Sequence, residues 1–205
     1  MSDIYRVFNA YTVLLDILKD RGFNVSEYEG FSKAQVASMI ASNQMDLLLK
    51  SVGGKKVYVR FELERAPELL KLADQFFDAF GEEPPVLTEH DDLIIVSKDG
   101  ANDSKMEVLN DLWENRKIYI CLLSLADLQF NKFKAAYVPP SMTILNEEET
   151  KDMMAKFYVT ELQQLPTMSR YDPMSLLLGL RPGQVCKVER ESVAALSLDF
   201  YRVCM

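Results

Sequence analysis

The stretch that most constrains the fold of this 205-residue chain is residues 165–190, which read LPTMSRYDPMSLLLGLRPGQVCKVER. Asp172 is suited to cap a short helix, because its carboxylate can accept from the free N–H groups of a first helical turn. Pro173 suits the first helical position, where its missing N–H removes no helical hydrogen bond. Gly179 is expected to end the helix in a left-handed conformation.

A turn and a strand are predicted directly after this helix. Pro182 and Gly183 suit a type II turn, which needs a positive φ at its third residue. Residues 184–190 then predict a strand, with Val185 and Val188 among its apolar members. Because every local preference agrees with its neighbours, the stretch predicts a well-specified small unit.

The same stretch resembles the assembly domain of the RNA polymerase subunit 5 family, which has archaeal as well as eukaryotic members. The resemblance rests on a Leu-Pro step at 165–166, an Asp-Pro step at 172–173 and a Gly-Leu-basic-x-Gly run at 179–183. The ending, residues 201–205, is similar to the Tyr-Arg-aliphatic close of the eukaryotic members. The resemblance implies that residues 139–205 form a small α+β domain that docks on the largest polymerase subunit.

Four of the residues implied at this docking face are arginines, whose planar fork pairs with carboxylates and tolerates partial burial at interfaces. Among them, Arg190 and Arg202 match the family pattern best. We expect the following residues to form the assembly motif or its interface: Leu165, Pro166, Arg170, Asp172, Pro173, Gly179, Leu180, Arg181, Gly183, Gln184, Arg190, Tyr201 and Arg202.

The chain also departs from the family pattern at two places. Pro140 and Ser141 stand where members usually have a histidine soon after a Val-Pro step. Residues 192–195 read Ser-Val-Ala-Ala in place of Ser-Glu-Thr and a glycine, so partner contacts around 191–197 are expected to differ. With these departures, the chain resembles the version of this subunit that large cytoplasmic DNA viruses carry.

The preceding part, residues 1–138, predicts two helices followed by strands that alternate with helices. This alternation is typical of crossover connections in a mixed or parallel sheet. The architecture is similar to the family's jaw domain, whose fold is similar to that of restriction-type nucleases. We therefore expect an α+β protein: a helical lead with a small α/β, nuclease-like jaw domain at 1–138, then the assembly domain at 139–205. The expected helices lie at 2–21, from 32 until it fades around 47–49, at 66–80 and at 102–112, and the expected strands at 57–64, 93–96 and 118–123.

The densest basic group of the first part surrounds a Gly-Gly turn and comprises Lys50, Lys55, Lys56 and Arg60. Contact with a DNA phosphate backbone needs charge within reach and little fixed geometry, so this group is a candidate DNA contact. A solvated turn is the alternative interpretation. The net charge of −8 argues against a free nucleic-acid-binding protein covered with lysines.

No catalytic residue, cofactor or metal site is expected. A nuclease of this fold needs an acidic-x-Lys pair on a strand, whereas residues 62–64 read Glu-Leu-Glu and Lys98 follows Val96 by two positions. The one histidine, His90, cannot build a zinc site with three widely spaced cysteines, which we expect to be buried reduced thiols. No apolar run reaches the roughly 18 residues that would span a membrane.

These features predict a non-catalytic subunit of a multisubunit DNA-directed RNA polymerase. Its expected partners are the largest subunit, other polymerase subunits, downstream DNA bound weakly through the jaw, and transcription factors, with no membrane. It would work inside the cell: in the nucleus if cellular, in the host cytoplasm and virion if viral. Two alternatives stay open: a metal-dependent nuclease with a degenerate site, and a free regulatory adaptor that binds a polymerase transiently.

Overall fold

The computed structural model describes residues 2–78, 84–135, 138–139, 141–192 and 196–205. The chain divides into two compact units, residues 1–131 and 132–205. Each unit combines helices with strands, so the predicted α+β class is confirmed. The domain boundary expected near residues 138–140 falls within the first residues of the second unit.

The first unit contains a four-stranded sheet in the order β1-β2-β3-β4. Strand β1 is antiparallel to β2, whereas β2, β3 and β4 run parallel to one another, as the alternation of strands and helices predicts. Its elements are α1 (Ser2–Asp20), α2 (Lys33–Ala41), β1 (Leu47–Lys50), β2 (Lys56–Glu62), α3 (Leu69–Phe77), β3 (Asp92–Ser97), α4 (Asp103–Arg116) and β4 (Ile120–Ser124).

Apolar patterning accounts for the interior of this sheet. Every residue of β3 and β4 is buried, which explains why these strands read as continuous apolar runs. Strand β2 instead alternates between buried and half-buried residues along its first half. At the start of α2, a serine followed three residues later by a glutamine predicts a capping box. This capping box is present, with the Ser32 side chain accepting from the backbone N–H of Gln35.

Two expected helices of this unit differ from the structure. The helix from residue 32 ends at Ala41, and residues 47–49, where it was expected to fade, lie in β1. Three consecutive leucines favour a helix locally, but pairing with β2 buries Leu47 and Leu49 while Leu48 faces outward. The helix expected at 66–80 is shorter, and residues 79–80 lie outside the described residues.

The second unit contains another four-stranded sheet, in the order β5-β7-β8-β6. Strands β7 and β8 form a long antiparallel hairpin, β5 pairs antiparallel with β7, and β6 pairs parallel with β8. The elements are β5 (Ser141–Ile144), α5 (Glu147–Phe157), β6 (Thr167–Met168), α6 (Pro173–Leu178), β7 (Val185–Ser192) and β8 (Leu196–Cys204).

Helix α5 begins at the capping box that its sequence predicts. The Asn146 side chain accepts from the backbone N–H of Glu149, and the Glu149 carboxylate accepts from the backbone N–H of Asn146, each at 2.8 Å. The sequence predicts that the packing face of this helix consists of Met153, Met154, Phe157 and Tyr158. Met153 packs inward as predicted. The expectation that Tyr158 joins this packing face is wrong: its side chain is 92% exposed, because Tyr158 lies in the left-handed position that ends the helix.

Candidate functional site

The short helix α6 begins and ends as its sequence predicts. The Asp172 carboxylate accepts from the backbone N–H of Met174 at 2.8 Å, and Pro173 occupies the first helical position. At the other end, Gly179 has a φ of +73°. The N–H groups of Gly179 and Leu180 donate to the carbonyls of Leu176 and Ser175, so the last helical carbonyls are satisfied by a Schellman motif.

The predicted turn directly follows this helix. Gly183 has a φ of +87°, and the backbone N–H of Gln184 donates to the carbonyl of Arg181 at 3.1 Å. A proline before a glycine of positive φ is the pattern of a type II turn. The Gln184 side chain also accepts from the Arg181 backbone N–H at 2.9 Å, so two hydrogen bonds join the first and last residues of the turn.

Backbone hydrogen bonds join this turn to residues near the end of the chain. The N–H of Gly183 donates to the carbonyl of Cys204, and the N–H of Cys204 donates to the carbonyl of Gln184, both at 2.9 Å. On the other side of β8, the Val203 N–H donates to the carbonyl of Pro166 at 3.0 Å. The separate sequence segments that carry the family resemblance are therefore neighbours in one sheet.

A small apolar cluster lies beneath the turn. Leu180 packs with Cys186, Val188 and Cys204, all at most 3% exposed. Burial raises the pKa of the Cys186 and Cys204 thiols to about 11. All three cysteines are buried and unbridged, which confirms their expected state as free thiols.

The arginines of the motif occupy different environments. Arg170 is buried and its guanidinium lies over the ring of Tyr171, so Arg170 does not belong to an exposed surface of this unit. Arg202 is half-buried, and its Nη1 donates to the carbonyl of Thr167 at 3.4 Å. Arg190 is exposed, with its guanidinium 5.3 Å from the centre of the Phe200 ring.

The β7–β8 hairpin presents two unlike faces. On one face, Lys187 and Asp199 form an ion pair at 2.9 Å, and the Tyr201 ring contacts that of Phe157 on α5. The other face carries three apolar residues that we name the hairpin strip: Leu196, Leu198 and Phe200, which are 89%, 44% and 43% exposed. The strip is not among the site residues expected from the sequence, although the alternation of its residues with Ser197 and Asp199 is typical of a strand with two different faces.

Two residues of the sequence regions that depart from the family pattern are placed by the structure. Ser141 begins β5, and Ser192 ends β7. Pro140 and residues 193–195 lie outside the described residues.

The candidate DNA-contact group of the first unit surrounds the turn between β1 and β2. The Lys55 Nζ forms an ion pair with Asp92 at 2.8 Å, and the Lys56 Nζ donates to the carbonyl of Val86 at 3.2 Å. Arg60 pairs with Glu62 at 2.6 Å on β2. Lys50 is exposed at the end of β1. Three of the four cations therefore have partners within the unit.

Asp92 is a structural anchor that was not expected from the sequence. Its side chain is fully buried, and Arg21 forms a second ion pair with it at 2.7 Å. Arg21, Lys55 and Asp92 are widely separated in sequence, so no local pattern could have indicated this cluster. A buried carboxylate requires such partners, because its desolvation is costly.

The two carboxylates weighed for nuclease chemistry, Glu62 and Glu64, lie at and just after the end of β2. Glu62 and Glu64 line a half-open cleft of about 360 Å³ together with Asp46, Arg60 and Arg65. Lys98 follows β3 and lines a smaller cleft of about 120 Å³, whose lining also includes Glu64. His90 is exposed, and its Nε2 lies 3.7 Å from Glu89.

The described part of the chain offers neither a metal cluster nor a membrane span. Within it, no cluster of three or more histidine, cysteine, aspartate or glutamate residues is suited to hold a metal ion. Within the same residues, no helix is long and apolar enough to cross a membrane.

Comparison with known proteins assigns this chain to a family. Residues 130–204 match the family described as RNA polymerase Rpb5, C-terminal domain. The DNA-directed RNA polymerase subunit Rpo5 of Pyrococcus abyssi is 39% identical over 75 residues, which cover 37% of this chain and 89% of that protein. Its counterpart in Thermococcus kodakarensis is 35% identical over 78 residues, covering 38% of this chain and 93% of that protein.

One eukaryotic relative extends the similarity to the whole chain. The DNA-directed RNA polymerases I, II, and III subunit rpabc1 of Dictyostelium discoideum is 23% identical over 209 residues, covering 100% of both chains. The family match at residues 130–204 coincides closely with the second compact unit, in which the 165–190 stretch and the chain ending are paired. This chain therefore belongs to the Rpb5/Rpo5 family of RNA polymerase subunits.

Proposed function

We propose that this protein is a non-catalytic subunit of a multisubunit DNA-directed RNA polymerase. The observation that carries the proposal is the match to Pyrococcus abyssi Rpo5, 89% of which aligns with this chain. That relative is named as a subunit of an RNA polymerase, and the family match at residues 130–204 corresponds closely to one compact unit here. The catalytic centre and its metal would belong to other subunits.

The C-terminal domain, residues 139–205, docks on the largest subunit in this proposal, and other polymerase subunits lie nearby. The support is that the archaeal relatives contain little beyond the matched region, since 89–93% of their length is covered. The short archaeal relatives and the longer Dictyostelium relative share this domain. It is therefore the part best suited to an assembly role that all of them have in common.

The first part, residues 1–138, forms a jaw near downstream DNA and meets transcription factors. The full-length match to the Dictyostelium subunit supports a common role for this part. The exposed Lys50 beside the β1–β2 turn supports a weak contact with the DNA backbone, because charge within reach is enough for such a contact. The departure at residues 192–195 supports a virus-encoded member, which would act in the host cytoplasm and be packaged in the virion.

Purification of the tagged full-length protein from its native cell or virion tests the proposal. We expect one copy per largest polymerase subunit, measured by mass spectrometry, after washing at high salt. Absence of the polymerase would overturn the proposal. Substoichiometric recovery would instead identify a transient regulatory adaptor.

A fragment of residues 132–205 tests the division of labour. We expect this fragment to enter the polymerase about as well as the full chain, because it contains the whole second unit. The fragment of residues 2–131 is the matched control and should be left out of the complex. Incorporation of the control fragment alone would contradict the proposed assembly role of the C-terminal domain.

A further inference from the structure

Strand β5 lies at the edge of the second sheet, and one of its two sides is unpaired. Among the described residues, β5 pairs with β7 and with no other strand. The Leu145 N–H, next in the same register, donates to the carbonyl of Val185 on β7 at 2.9 Å. Because the backbone groups of successive residues point to opposite sides of an antiparallel strand, those of Met142 and Ile144 point away from β7. Their N–H and C=O groups therefore line the outer edge of the sheet.

The first sheet covers the outer edge of β1, and this contrasts with β5. The Tyr28 hydroxyl accepts from the backbone N–H of Leu48 at 3.3 Å and donates to the carbonyl of the same residue at 3.4 Å. A covered edge is protected from pairing with another chain. Within the described parts of the chain, the backbone N–H groups of Met142 and Ile144 have no hydrogen-bond acceptor. The β5 edge is therefore open to an added strand.

A cleft of about 500 Å³ lies beside the β5 edge, on the face of the sheet that carries α5. Its lining includes Thr143 and Tyr201 from the sheet and Met153 from the helix. On the opposite face, the side chains of Met142 and Ile144 pack against the apolar cluster beneath the turn. Because side chains alternate along a strand, a strand added beside β5 would direct every second side chain toward the cleft and the others toward this apolar face.

The cleft presents a surplus of negative charge. The charged residues that line it are Glu149, Asp152, Lys156 and Lys187. Lys187 is neutralised by Asp199 at 2.9 Å, which leaves two carboxylates against one ammonium group. Asp152 is exposed and, among the described residues, forms no ion pair. An incoming side chain with a positive charge would therefore complete the charge of the cleft.

We propose that the β5 edge binds an extended segment of a partner protein in which basic and apolar residues alternate. The segment adds a strand to the sheet through the backbone groups of Met142 and Ile144, as in β-augmentation. Its basic side chains enter the cleft, where the apolar stem contacts Met153 and the charged head reaches Asp152. Its apolar side chains lie beside those of Met142 and Ile144. The proposal goes beyond the proposed function, because it needs only residues of the second unit and no polymerase.

The same features disfavour three other occupants. An acidic segment would bring its carboxylates next to those of Glu149 and Asp152. A nucleic-acid backbone would meet the same repulsion, since it is bound chiefly through clustered cations. Two copies of this chain that pair through β5 would bring two negative surpluses together, since β5 itself carries no basic residue.

Binding of short labelled peptides to the purified full-length protein tests the proposal. The probe is a peptide of about eight residues that alternates lysine and valine, and its binding is followed by fluorescence anisotropy. We expect it to bind about tenfold more tightly than a peptide that alternates glutamate and valine. A lysine–valine peptide with N-methyl groups on its internal backbone nitrogens keeps the side chains but loses the donors of a strand. It should bind about tenfold more weakly than the unmodified peptide.

Charge at the cleft is tested by Asp152→Lys, with Glu161→Lys as the matched control. Asp152→Lys should weaken binding of the lysine–valine peptide about tenfold, because it replaces the attracting carboxylate by a repelling ammonium group. Glu161→Lys changes the net charge equally, but Glu161 is exposed and does not line the cleft, so binding should stay within about twofold of the wild type. The thermal midpoint of both variants should stay within about 2 °C of the wild type, because both positions are exposed.

Amide hydrogen exchange locates the pairing without any substitution, so it decides the question even where a variant fails to fold. On addition of the lysine–valine peptide, the amide protons of Met142 and Ile144 should exchange about tenfold more slowly, because the added strand supplies acceptors for them. The Leu48 amide, which already donates to Tyr28, is the internal control and should not change.

Three results would overturn the proposal. The lysine–valine peptide might show no binding at the β5 edge, with the exchange of Met142 and Ile144 unchanged. Equal binding by the N-methylated peptide would show that strand pairing is not involved. Equal losses in Asp152→Lys and Glu161→Lys would reduce the effect to net charge. Absence of the polymerase from the purified protein would instead refute the proposed function and leave this proposal standing.

Discussion

At the scale of single residues, the Asp172 carboxylate is the acceptor that starts the six-residue helix α6. Replacing Asp172 by alanine should lower the free energy of unfolding by about 1 kcal/mol, the usual effect of removing an N-cap. Urea denaturation of the 132–205 fragment measures this change. Asp172→Asn is the control and should stay close to the wild type, since an amide oxygen can also accept. Equal losses in both variants would show that the cap does not explain the effect.

Asp91 gives a prediction about acid stability. Burial alone would raise the pKa of its carboxyl group, but hydrogen bonds from the backbone N–H groups of Lys56 and Thr88 and from the Thr88 hydroxyl prevail, and the pKa lies below its ordinary value of 3.8. A lowered folded-state pKa means that Asp91 stabilises the fold fully above pH 3.8. This contribution is lost as the pH falls from 3.8 through the folded-state pKa.

The variant Asp91→Asn tests this pH dependence. At pH 7 it should lower the free energy of unfolding by about 1–2 kcal/mol, because an amide nitrogen replaces one of the two accepting oxygens. The difference from the wild type should narrow below pH 3.8, where the wild type loses its own contribution. Chemical denaturation of the full chain between pH 3 and pH 7 measures both. A difference that stays constant across this range would contradict the assignment.

At the scale of elements, the segment after α6 attaches to the sheet through Leu180, which is fully buried in the cluster with Cys186 and Cys204. Leu180→Ala should lower the free energy of unfolding by about 2–4 kcal/mol, because it leaves a cavity in a close-packed core. Leu198→Ala makes the same chemical change on the exposed strip and should alter stability by less than about 0.5 kcal/mol. Thermal unfolding of both variants measures the contrast, and equal effects would contradict the described packing.

Short strands show where local patterns fail at this scale. Strands β1, β5 and β6 contain only two to four residues each, and none of them was predicted from the sequence pattern. Such a segment becomes a strand because a neighbouring strand satisfies its backbone groups, which is a tertiary condition. The longer strands β3 and β7 were predicted, because their apolar patterns extend over enough residues.

At the scale of the whole molecule, the four basic residues of the candidate DNA-contact group should not act alike. Lys50→Ala should leave stability within about 0.5 kcal/mol of the wild type, because the side chain is exposed. In the assembled polymerase, the variant should weaken binding to downstream duplex DNA. The slope of the binding constant against salt concentration should fall by the amount expected for about one lost phosphate contact. Titrations of DNA binding at several salt concentrations measure this slope.

Lys55→Ala is the matched comparison. It removes one of the two cations that neutralise the buried Asp92, so it should lower the free energy of unfolding by on the order of 1 kcal/mol. An unchanged stability in Lys55→Ala would contradict the role of this ion pair. An unchanged salt slope in Lys50→Ala would remove the basis for the proposed DNA contact.

The sequence by itself determined the local structural features of this protein. It also indicated the family to which the protein belongs. The cap at Asp172, the left-handed Gly179 and the turn at Gly183 each depend on residues within a few positions of one another, so a short stretch is enough to specify them. The same short-range spacing carries the family resemblance. For the long strands, the local periodicity of apolar residues also predicted whether one face or both faces of the strand are buried.

Only the tertiary structure decided which of these residues remain available to a partner. Lys55 is held by Asp92 and Arg170 is buried, whereas Arg190 and the apolar strip face outward. Local patterns indicate that a residue is charged or apolar, but not whether a residue far along the chain neutralises or covers it. Burial and ion pairing depend on distances in space between residues remote in sequence, and those distances are set when the sheets assemble.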